Sequence, residues 1–295
     1  MIATTGFFDG VHLGHRLVIE RLVSLARERG DESLVVTFWP HPRAVLQDGA
    51  RELRLLNSLE EKKELLRSLG VDRVEVLDFT RSFAALTAEQ YLREILRDRY
   101  GVTTLLMGYD NRLGSDRLTA DTLKPIAEGI GMELKELLPL SFRPSEASGE
   151  ISSTQIRTAL ENGDIVSAAE MLGYGYSLKG VVVAGNRLGR TIGFPTANMK
   201  LYEPLKLVPG RGVYAVEAEV LGKKYRGMTN IGLRPTVGGS FTTIETHILD
   251  FDDDIYGLPL RITFLRRLRD EVHFPSLEAL KDQLEKDREC CREQK

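Results

Sequence analysis

The sequence predicts an α/β N-terminal half followed by a C-terminal antiparallel β domain. In the first half, short apolar runs alternate with segments whose apolar residues recur at helical spacing, which is typical of a parallel sheet covered by helices. From about Gly175, strand-like segments follow one another with only turn residues between them, and a helix closes the chain. The length of 295 residues also favours two domains, which we place at residues 1–174 and 175–295.

The first half contains alternating strands and helices. The predicted strands are IATTGFF, SLVVTFW, VDRVEVLDF, VTTLLMG and ELKELLPL. Gly30 is the expected C-cap of the first helix, Ser58 and Thr87 are the expected N-caps of the next two, and a fourth helix ends at Gly129 or Gly131. In such sheets ligands bind at the carboxyl ends of the strands, where the topology reverses. The segments that follow strands there are GFFDGVHLGH, PHPR and GYDNRLG.

The second half reads as consecutive strands. They are YSLKGVVVAG, GVYAVEAEVLG, KKYRGMTNIG, TTIETHILDF and LPLRITFLRRLR, and the closing helix is SLEALKDQLEKDRECCREQ. We interpret AAEMLGYGY as the connection between the two halves.

Composition excludes several classes of protein. The formal net charge of −3 argues against a nucleic-acid partner, which favours a basic face. No apolar run approaches the roughly 20 residues that span a bilayer, and no signal-peptide pattern opens the sequence. The two cysteines, Cys290 and Cys291, are adjacent and are expected to be free thiols. We therefore expect a cytoplasmic protein without a membrane or nucleic-acid partner.

The segment GFFDGVHLGH lies where the first strand turns into the first helix. A helix N-terminus presents unpaired N–H groups and favours anions, and Gly10 and Gly14 allow close backbone approach. His12 and His15 can donate to phosphate oxygens and stabilise developing charge. A metal site with Asp9 as a third ligand, or an ordinary turn, remains an alternative. The segment is not a P-loop, because no Gly-Lys-Ser/Thr follows.

Two further segments carry candidate phosphate chemistry. In SSTQIRTALENG, the hydroxyls of Ser153 and Thr154 and the guanidinium of Arg157 stand at a helix start, which suits an anion, although plain capping also explains them. In GRTIGFPTANM, Thr196 and Asn198 place oxygens two residues apart on one face of an extended segment. Such hard oxygens suit Mg²⁺ beside substrate phosphates, and a polar turn is the alternative.

Two charged runs receive plainer interpretations. DFDDD (250–254) lacks EF-hand spacing and its closing Glu, so we expect a turn with solvated acids rather than a cation cage. FLRRLRDE is expected to be a half-exposed strand end rather than an RNA-binding surface.

Several motifs, in order, resemble a known enzyme family. GFFDGVHLGH resembles the signature of the nucleotidyltransferase superfamily, and its FDGVH form resembles the FMN adenylyltransferase module of bacterial bifunctional riboflavin kinase/FAD synthetases. TFWPHPR, GYDNRLG and ISSTQIR resemble further motifs of that module. PTAN, MTNIGLRPTVGG and IETHILDFDDDIYG resemble the riboflavin kinase module of the same family. The resemblance implies a Rossmann-like parallel sheet with helices on both faces, then an antiparallel β-barrel with a C-terminal helix.

The resemblance also implies roles for individual residues. In the adenylyltransferase, His12 and His15 would hold the ATP phosphates and the departing pyrophosphate. The other residues implied to bind ATP there are Gly6, Phe7, Asp9, Gly10, Asp110, Ser153, Thr154 and Arg157. Those implied to border the flavin are Pro40, His41, Pro42 and Leu113. Leu113 departs from the family, in which a flavin-stacking Phe is common at this position; Trp39 could compensate or be a core residue.

In the kinase module, Glu245 of ETH would be the general base that accepts the proton of the ribityl 5′-hydroxyl. Thr196 and Asn198 would hold Mg²⁺ and ATP phosphates in a loop bracketed by Gly189 and Gly193. The residues implied to form a flap over the flavin are Asn230, Gly232, Arg234 and Thr236.

The sequence therefore predicts a bifunctional transferase that makes FMN from riboflavin and FAD from FMN, with ATP as co-substrate and Mg²⁺ as cofactor. We expect a monomer or a weak homo-oligomer. Two other readings remain: an enzyme with one active module, and a flavin-sensing protein without catalysis. An RNA-modifying nucleotidyltransferase is disfavoured by the net charge.

Overall fold

The structure is a computed structural model that describes residues 1–46, 53–108, 111–137, 151–185, 188–236 and 239–292. The chain divides into two compact units, Met1–Ser152 and Ser153–Lys295. Within the described ranges, no helix combines the length and the apolarity needed to cross a membrane.

The first unit is built on a parallel sheet, and the predicted strands are confirmed. Its strands are β1 Ile2–Thr5, β2 Ser33–Trp39, β3 Arg73–Asp78, β4 Thr104–Gly108 and β5 Glu133–Leu137. They form a five-stranded sheet of order β3–β2–β1–β4–β5. Because β2 and β4 flank β1, the topology reverses at the carboxyl end of β1, where a ligand site is expected.

The helices of this unit follow the caps expected from the sequence. They are α1 Leu13–Arg29, α2 Pro42–Leu46, α3 Leu59–Ser68, α4 Arg81–Ala84, α5 Ala88–Gln90 and α6 Ala120–Gly129. Gly30 is a left-handed C-cap, and Ser58 and Thr87 each form a capping box. One feature differs from the prediction: α5 continues as a π-helix over Tyr91–Arg99. Helical spacing alone does not distinguish a π-helix from an α-helix over so short a segment.

Both faces of the sheet are buried under helices, as predicted. Ala3 and Leu105 contribute to one apolar cluster together with Leu92 and Leu123. The residues next to them, Ile2 and Leu106, point to the other face and join a cluster that contains residues of α1 and α3.

The second unit begins with two helices, α7 Ser153–Glu161 and α8 Ile165–Leu172. AAEMLGYGY is therefore only partly a connection, since most of it lies in or directly after α8. Asp164 caps α8 by accepting a hydrogen bond from Ser167 N–H at 3.1 Å. The compact units divide between Ser152 and Ser153, and α8 contacts the strand Pro259–Arg269 of the second unit, whereas the functional division at residue 174 stays a prediction.

The rest of the second unit is a closed antiparallel barrel. Its strands are β6 Ser177–Val183, β7 Ala197–Leu201, β8 Gly212–Val220, β9 Lys223–Thr236, β10 Gly239–Ile248 and β11 Pro259–Arg269. Their order is β10–β7–β6–β11–β8–β9. The sequence did not predict β7, because its short polar run lacks the β-branched alternation of a strand; pairing with β6 and β10 supplies what the local sequence lacks.

The short helix α9, Leu188–Thr191, precedes β7, and α10, Leu277–Arg292, closes the chain as predicted. Cys291 of α10 is buried in a cluster with Val213, Ala215 and Met228. Tyr214 and Phe264, both buried, pack edge to face with their ring centroids 5.3 Å apart. Both cysteines are free, as expected.

Candidate active sites

The turn after β1 has an unusual backbone. Phe8, Gly10 and Val11 have φ angles of 52°, 83° and 37°, in the left-handed region that is costly for residues with a side chain. Gly6 donates its N–H to Val36 O at 3.1 Å, and a Cβ on Gly6 would lie 3.0 Å from the Phe8 ring. Such strained conformations cluster at functional sites. The turn therefore marks the topological switch point as a candidate site.

His12 and His15 come together at the mouth of α1. His12 is the N-cap, but its side chain makes no capping hydrogen bond. Its ring instead stacks on the His15 ring, with centroids 3.7 Å apart and planes 20° from parallel. Gly14 permits this arrangement, since a Cβ there would lie 3.3 Å from the His12 ring. The two imidazoles and the free N–H groups of the first helical turn form one donor surface.

His15 is an uncharged donor at neutral pH. Burial, followed by the nearby His12 and Lys62, lowers its pKa well below the usual value. Its Nδ1 is buried and has no hydrogen-bond partner among the described residues. The metal alternative finds no support in the described part of the chain, where no group of three His, Cys, Asp or Glu side chains could hold an ion.

Buried hydrogen bonds of Asp9 and Lys62 fix the turn on its protein side. Asp9 is buried and its Oδ1 accepts a hydrogen bond from Leu56 N–H at 3.0 Å. Lys62 of α3 is completely buried, and its Nζ donates to Phe7 O at 2.6 Å. Sequence reasoning missed Lys62, because a lysine on an amphipathic helix is normally solvent-exposed. Its position one turn after the Ser58 capping box was the available signal.

The predicted flavin-side residues lie near the same turn. The His41 ring packs edge to face on Phe7 at 4.1 Å, and His41 Nδ1 accepts from Arg43 N–H at 3.0 Å. Pro40, after a cis peptide bond with Trp39, is exposed, and Pro42 begins α2. Trp39 is half-buried at the end of β2.

Of the two predicted residues that follow β4 in the sequence, the structure describes Leu113. Leu113 packs against the core of the first unit and pairs with Leu118, whose carbonyl accepts its N–H at 3.0 Å. Leu113 therefore stabilises the loop between itself and Leu118, and its predicted contact with flavin stays a prediction. Asp110 lies outside the described residues.

The other predicted phosphate residues begin α7 in the second unit. Ser153 and Thr154 occupy its first turn, and Arg157 follows one turn later with a half-buried side chain. This confirms the helix, and the phosphate role of these residues stays a prediction.

In the barrel, strand register brings predicted residues together. Glu245 of β10 pairs directly with Asn198 of β7 on one side and with Asn230 of β9 on the other. Residues directly opposite in an antiparallel pair share a face and have Cβ atoms about 4.5–5.5 Å apart. A half-buried carboxylate therefore lies between two amides on adjacent strands.

The loop that carries Thr196 is fixed at both ends. Phe194 N–H donates to Gly189 O at 2.8 Å, and the buried Phe194 ring anchors the loop after the left-handed Gly193. On the other side, His247 Nδ1 donates to Pro195 O at 2.8 Å. Burial chiefly lowers the pKa of His247, although the bond to Pro195 opposes this. His247 was missed as a functional candidate, since sequence alone does not show which loop it contacts.

A cleft opens beside this loop. Arg190, Thr196 and Asn198 contribute to its lining, and so do Asp252, Asp253 and Asp254. These three acids are exposed, as predicted, and Asp254 accepts from Tyr256 N–H at 3.1 Å, whereas Asp250 of the same run forms an ion pair with Arg292. A Cβ on Gly185 would overlap the Asn198 amide, which shows how closely the backbone approaches that side chain.

The predicted flap residues lie along β9. A Cβ on Gly232 would lie 2.5 Å from Glu271 Oε1 and 3.1 Å from Asn230 Nδ2, so the Glu271 side chain would have to move. Arg234 is half-buried, and Thr236 ends the strand. Glu271 was not predicted; it is exposed and follows the basic end of β11, the half-exposed strand end expected from FLRRLRDE.

Comparison with known proteins assigns the chain to a class of two-module enzymes. The family model described as FAD synthetase matches residues 1–155, and the model described as Riboflavin kinase matches residues 172–295. The chain belongs to the family of bifunctional riboflavin kinase/FMN adenylyltransferases.

Curated relatives support this assignment over nearly the whole chain. The bifunctional riboflavin kinase/FMN adenylyltransferase of Bacillus subtilis (strain 168) is 37% identical, covering 98% of this chain and 90% of the relative. That of Escherichia coli (strain K12) is 38% identical, covering 99% and 92%. A crystal structure described as a macrolide-efflux protein from Streptococcus pneumoniae aligns with a TM-score of 0.91 at 34% identity, covering 100% of this chain and 94% of that one.

Proposed function

We propose that this chain makes both flavin cofactors. Riboflavin and ATP give FMN and ADP in the barrel. FMN and ATP give FAD and pyrophosphate in the first unit, at the N-terminus of α1 with the stacked His12 and His15, which we call the histidine mouth. The observation that carries the proposal is the presence of two chemically different sites on the motifs that the family models match: stacked imidazoles at a helix start, and a carboxylate in register with two amides. We retain 1–174 and 175–295 as the functional division, supported by the kinase match that begins at 172.

In the kinase step, Glu245 accepts the proton of the ribityl 5′-hydroxyl as that oxygen attacks the γ-phosphorus of ATP. The bond from the γ-phosphorus to the ADP oxygen breaks, and ADP leaves. A positioned base contributes about 10²–10⁴ in rate. The strand pairing supports this role, because Glu245 is held on a rigid ladder beside Asn198 rather than on a loop.

The residues near Glu245 fit a magnesium ion. Thr196 and Asn198 offer a hydroxyl and an amide oxygen at the cleft, and hard oxygens of this kind, with water and substrate phosphates, are the ligands Mg²⁺ prefers. When bound, the ion would neutralise charge on the transferring phosphoryl group. His247 holds the Pro195 carbonyl, and with it the loop that presents Thr196.

In the adenylyl-transfer step, a phosphate oxygen of FMN attacks the α-phosphorus of ATP and pyrophosphate leaves. FMN phosphate is already ionised, so the step requires charge stabilisation rather than a strong base. The α1 N-terminus and the His12 and His15 rings supply donors for the departing pyrophosphate. The lowered pKa of His15 supports this assignment, since a neutral ring keeps one N–H to donate.

A product assay tests both halves. The purified chain is incubated with riboflavin, ATP and Mg²⁺, and separately with FMN, ATP and Mg²⁺, and the flavins are separated chromatographically. We expect FMN and FAD from the first mixture and FAD from the second. Product from only one step would support the single-module reading, and tight flavin binding without product would support the flavin-sensing reading.

We further propose that the enzyme acts in the cytoplasm, as a monomer or weak homo-oligomer, on riboflavin, FMN and ATP and without nucleic acid or membrane partners. The free thiols and the net charge of −3 support this setting.

A further inference from the structure

The buried lysine below the adenylyl-transfer turn has no role in the mechanism described so far. Lys62 is 0% exposed, although lysine is almost never fully buried unless it is paired. Within the described ranges, no carboxylate forms an ion pair with it. Its partners are the Phe7 carbonyl, at 2.6 Å from Nζ, and the face of the Phe7 ring, whose centroid is 3.5 Å away.

Folding alone does not require a cation at this position. Removing an ammonium from water is costly, so an apolar side chain of the same length would suit the site at least as well. The Phe7 carbonyl would also keep a donor, because Thr37 Oγ1 contacts it at 3.2 Å. The location of the charge, beneath the turn that leads to His12, therefore requires another explanation.

The surrounding charges explain what the cation does. The negative charge of Asp9 raises the pKa of Lys62, and the positive charges of His12 and Lys62 lower the pKa of His15. Burial lowers the pKa of Lys62 to about 8, while Asp9 opposes this, so the ammonium persists at neutral pH and is lost as the pH rises through about 8. While charged, it disfavours a proton on His15.

We propose that Lys62 is a positioning residue for adenylyl transfer: its buried ammonium holds the Phe7 carbonyl and supplies a fixed positive charge beneath the anion-binding mouth of α1. The inference rests on the proposed function of the first unit. The substrate class that benefits is a polyphosphate, because a cation beneath uncharged donors at neutral pH favours the anion without competing for its hydrogen bonds.

The test compares Lys62→Met with Thr37→Val. The first removes the charge and one donor to Phe7 O, whereas the second removes only the other donor to the same atom. We expect Lys62→Met to raise the KM for ATP in FAD synthesis about tenfold or more and to abolish an alkaline decline near pH 8. Thr37→Val should retain that decline. FMN formation by the same chain should be unchanged in both and reports on the second unit, and thermal unfolding of both variants reports on folding of the first unit.

Two further measurements keep the proposal falsifiable. Lys62→Arg, which stays charged at high pH, should retain activity and lose the alkaline decline. Independently of activity, NMR titration of the His15 ring should show a higher pKa in Lys62→Met than in the wild type. An unchanged His15 titration, or equal effects of Lys62→Met and Thr37→Val on FAD synthesis, would overturn the proposal. If the wild type forms no FAD but His15 shifts in Lys62→Met, the charge coupling stands and the proposed function fails.

Discussion

The two candidate sites recognise phosphates by opposite constructions. In the first unit, the chemistry is contiguous: a strained turn, a helix start and two histidines lie within residues 6–15, and Lys62 adds a buried cation from below. In the barrel, Asn198, Asn230 and Glu245 come from different strands and meet only through register. One site therefore depends on local backbone geometry, and the other depends on pairing between distant segments.

The electrostatics of the sites differ in the same way. The histidine mouth offers uncharged donors above a fixed positive charge, which suits stabilisation of a departing anion. The barrel site places a carboxylate beside neutral amides, which suits acceptance of a proton. The comparison teaches that the two steps need different protein groups although both use ATP, so single substitutions should separate them.

The largest separation should come from Glu245→Gln. Loss of the base should lower FMN formation by about 10³-fold, within the range typical for a positioned base, and leave FAD formation from supplied FMN unchanged. The measurement is the rate of each half-reaction by chromatography. Glu217→Gln, at a surface ion pair with Lys224, is the matched control and should affect neither rate. Loss of both activities in a folded protein would contradict the two-site comparison.

The converse change is His12→Ala. It should lower FAD formation by about 10²-fold, since one donor to the departing anion is lost, and leave FMN formation intact. Helix stability should hardly change, because the His12 side chain makes no capping bond. His273→Ala, at an exposed histidine, is the control. Undiminished FAD synthesis in His12→Ala would remove the stacked pair from the mechanism.

The histidine site of the first unit was largely predictable from the sequence, because its residues are contiguous. The strand, the glycines and the helix start are read locally, so the positions of His12 and His15 followed from the pattern GFFDGVHLGH. Their stacking was not predictable, because sequence spacing does not fix the orientation of the rings, and the buried Lys62 was not predictable, because it depends on how α3 packs beneath the turn. Tertiary packing decides such contacts, and hydrophobic periodicity does not encode them.

In the barrel site, residue chemistry alone pointed to Thr196 and Asn198, and the other site residues came from the resemblance. Composition gave the consecutive strands, but β7 was missed and no local pattern showed that Asn198 faces Glu245. Alternation also did not show that α7 and α8 belong to the compact unit of the barrel, which the contact of α8 with β11 reveals. In each case the missing information is a pairing between segments far apart in sequence.

A glycine substitution can perturb the barrel site, which strand register assembles, without touching the histidine site. In Gly185→Ala, the new Cβ would overlap the Asn198 amide, so that side chain has to move. A displaced ligand or orienting group lowers the rate substantially, and we expect about a tenfold loss of kinase activity with unchanged FAD synthesis. Gly129→Ala is the control, because a Cβ there meets nothing within 4 Å. Equal kinase rates in the two variants would mean that Asn198 needs no fixed position.

The smallest expected effect concerns His247, which ties the Thr196 loop to the strand of Glu245. His247→Phe keeps an aromatic ring against Phe194 but removes the donor to Pro195 O. A hydrogen bond of about 1 kcal/mol corresponds to about a fivefold change, which we expect in the KM for ATP of the kinase step. His41→Phe, in the other unit, should leave that KM unchanged.

The same substitution has a pH signature with a defined sign. Because burial lowers the pKa of His247 in the folded chain, the unfolded chain binds a proton first as the pH falls below about 6.5. Folding of the second unit should therefore lose stability between about pH 6.5 and the lower folded pKa, and His247→Phe should lose less over that interval. Thermal unfolding of both proteins at pH 7.5 and 5.5 measures the difference. Identical shifts would show that His247 binds its proton equally well in the folded and the unfolded chain, which would contradict a pKa lowered by burial.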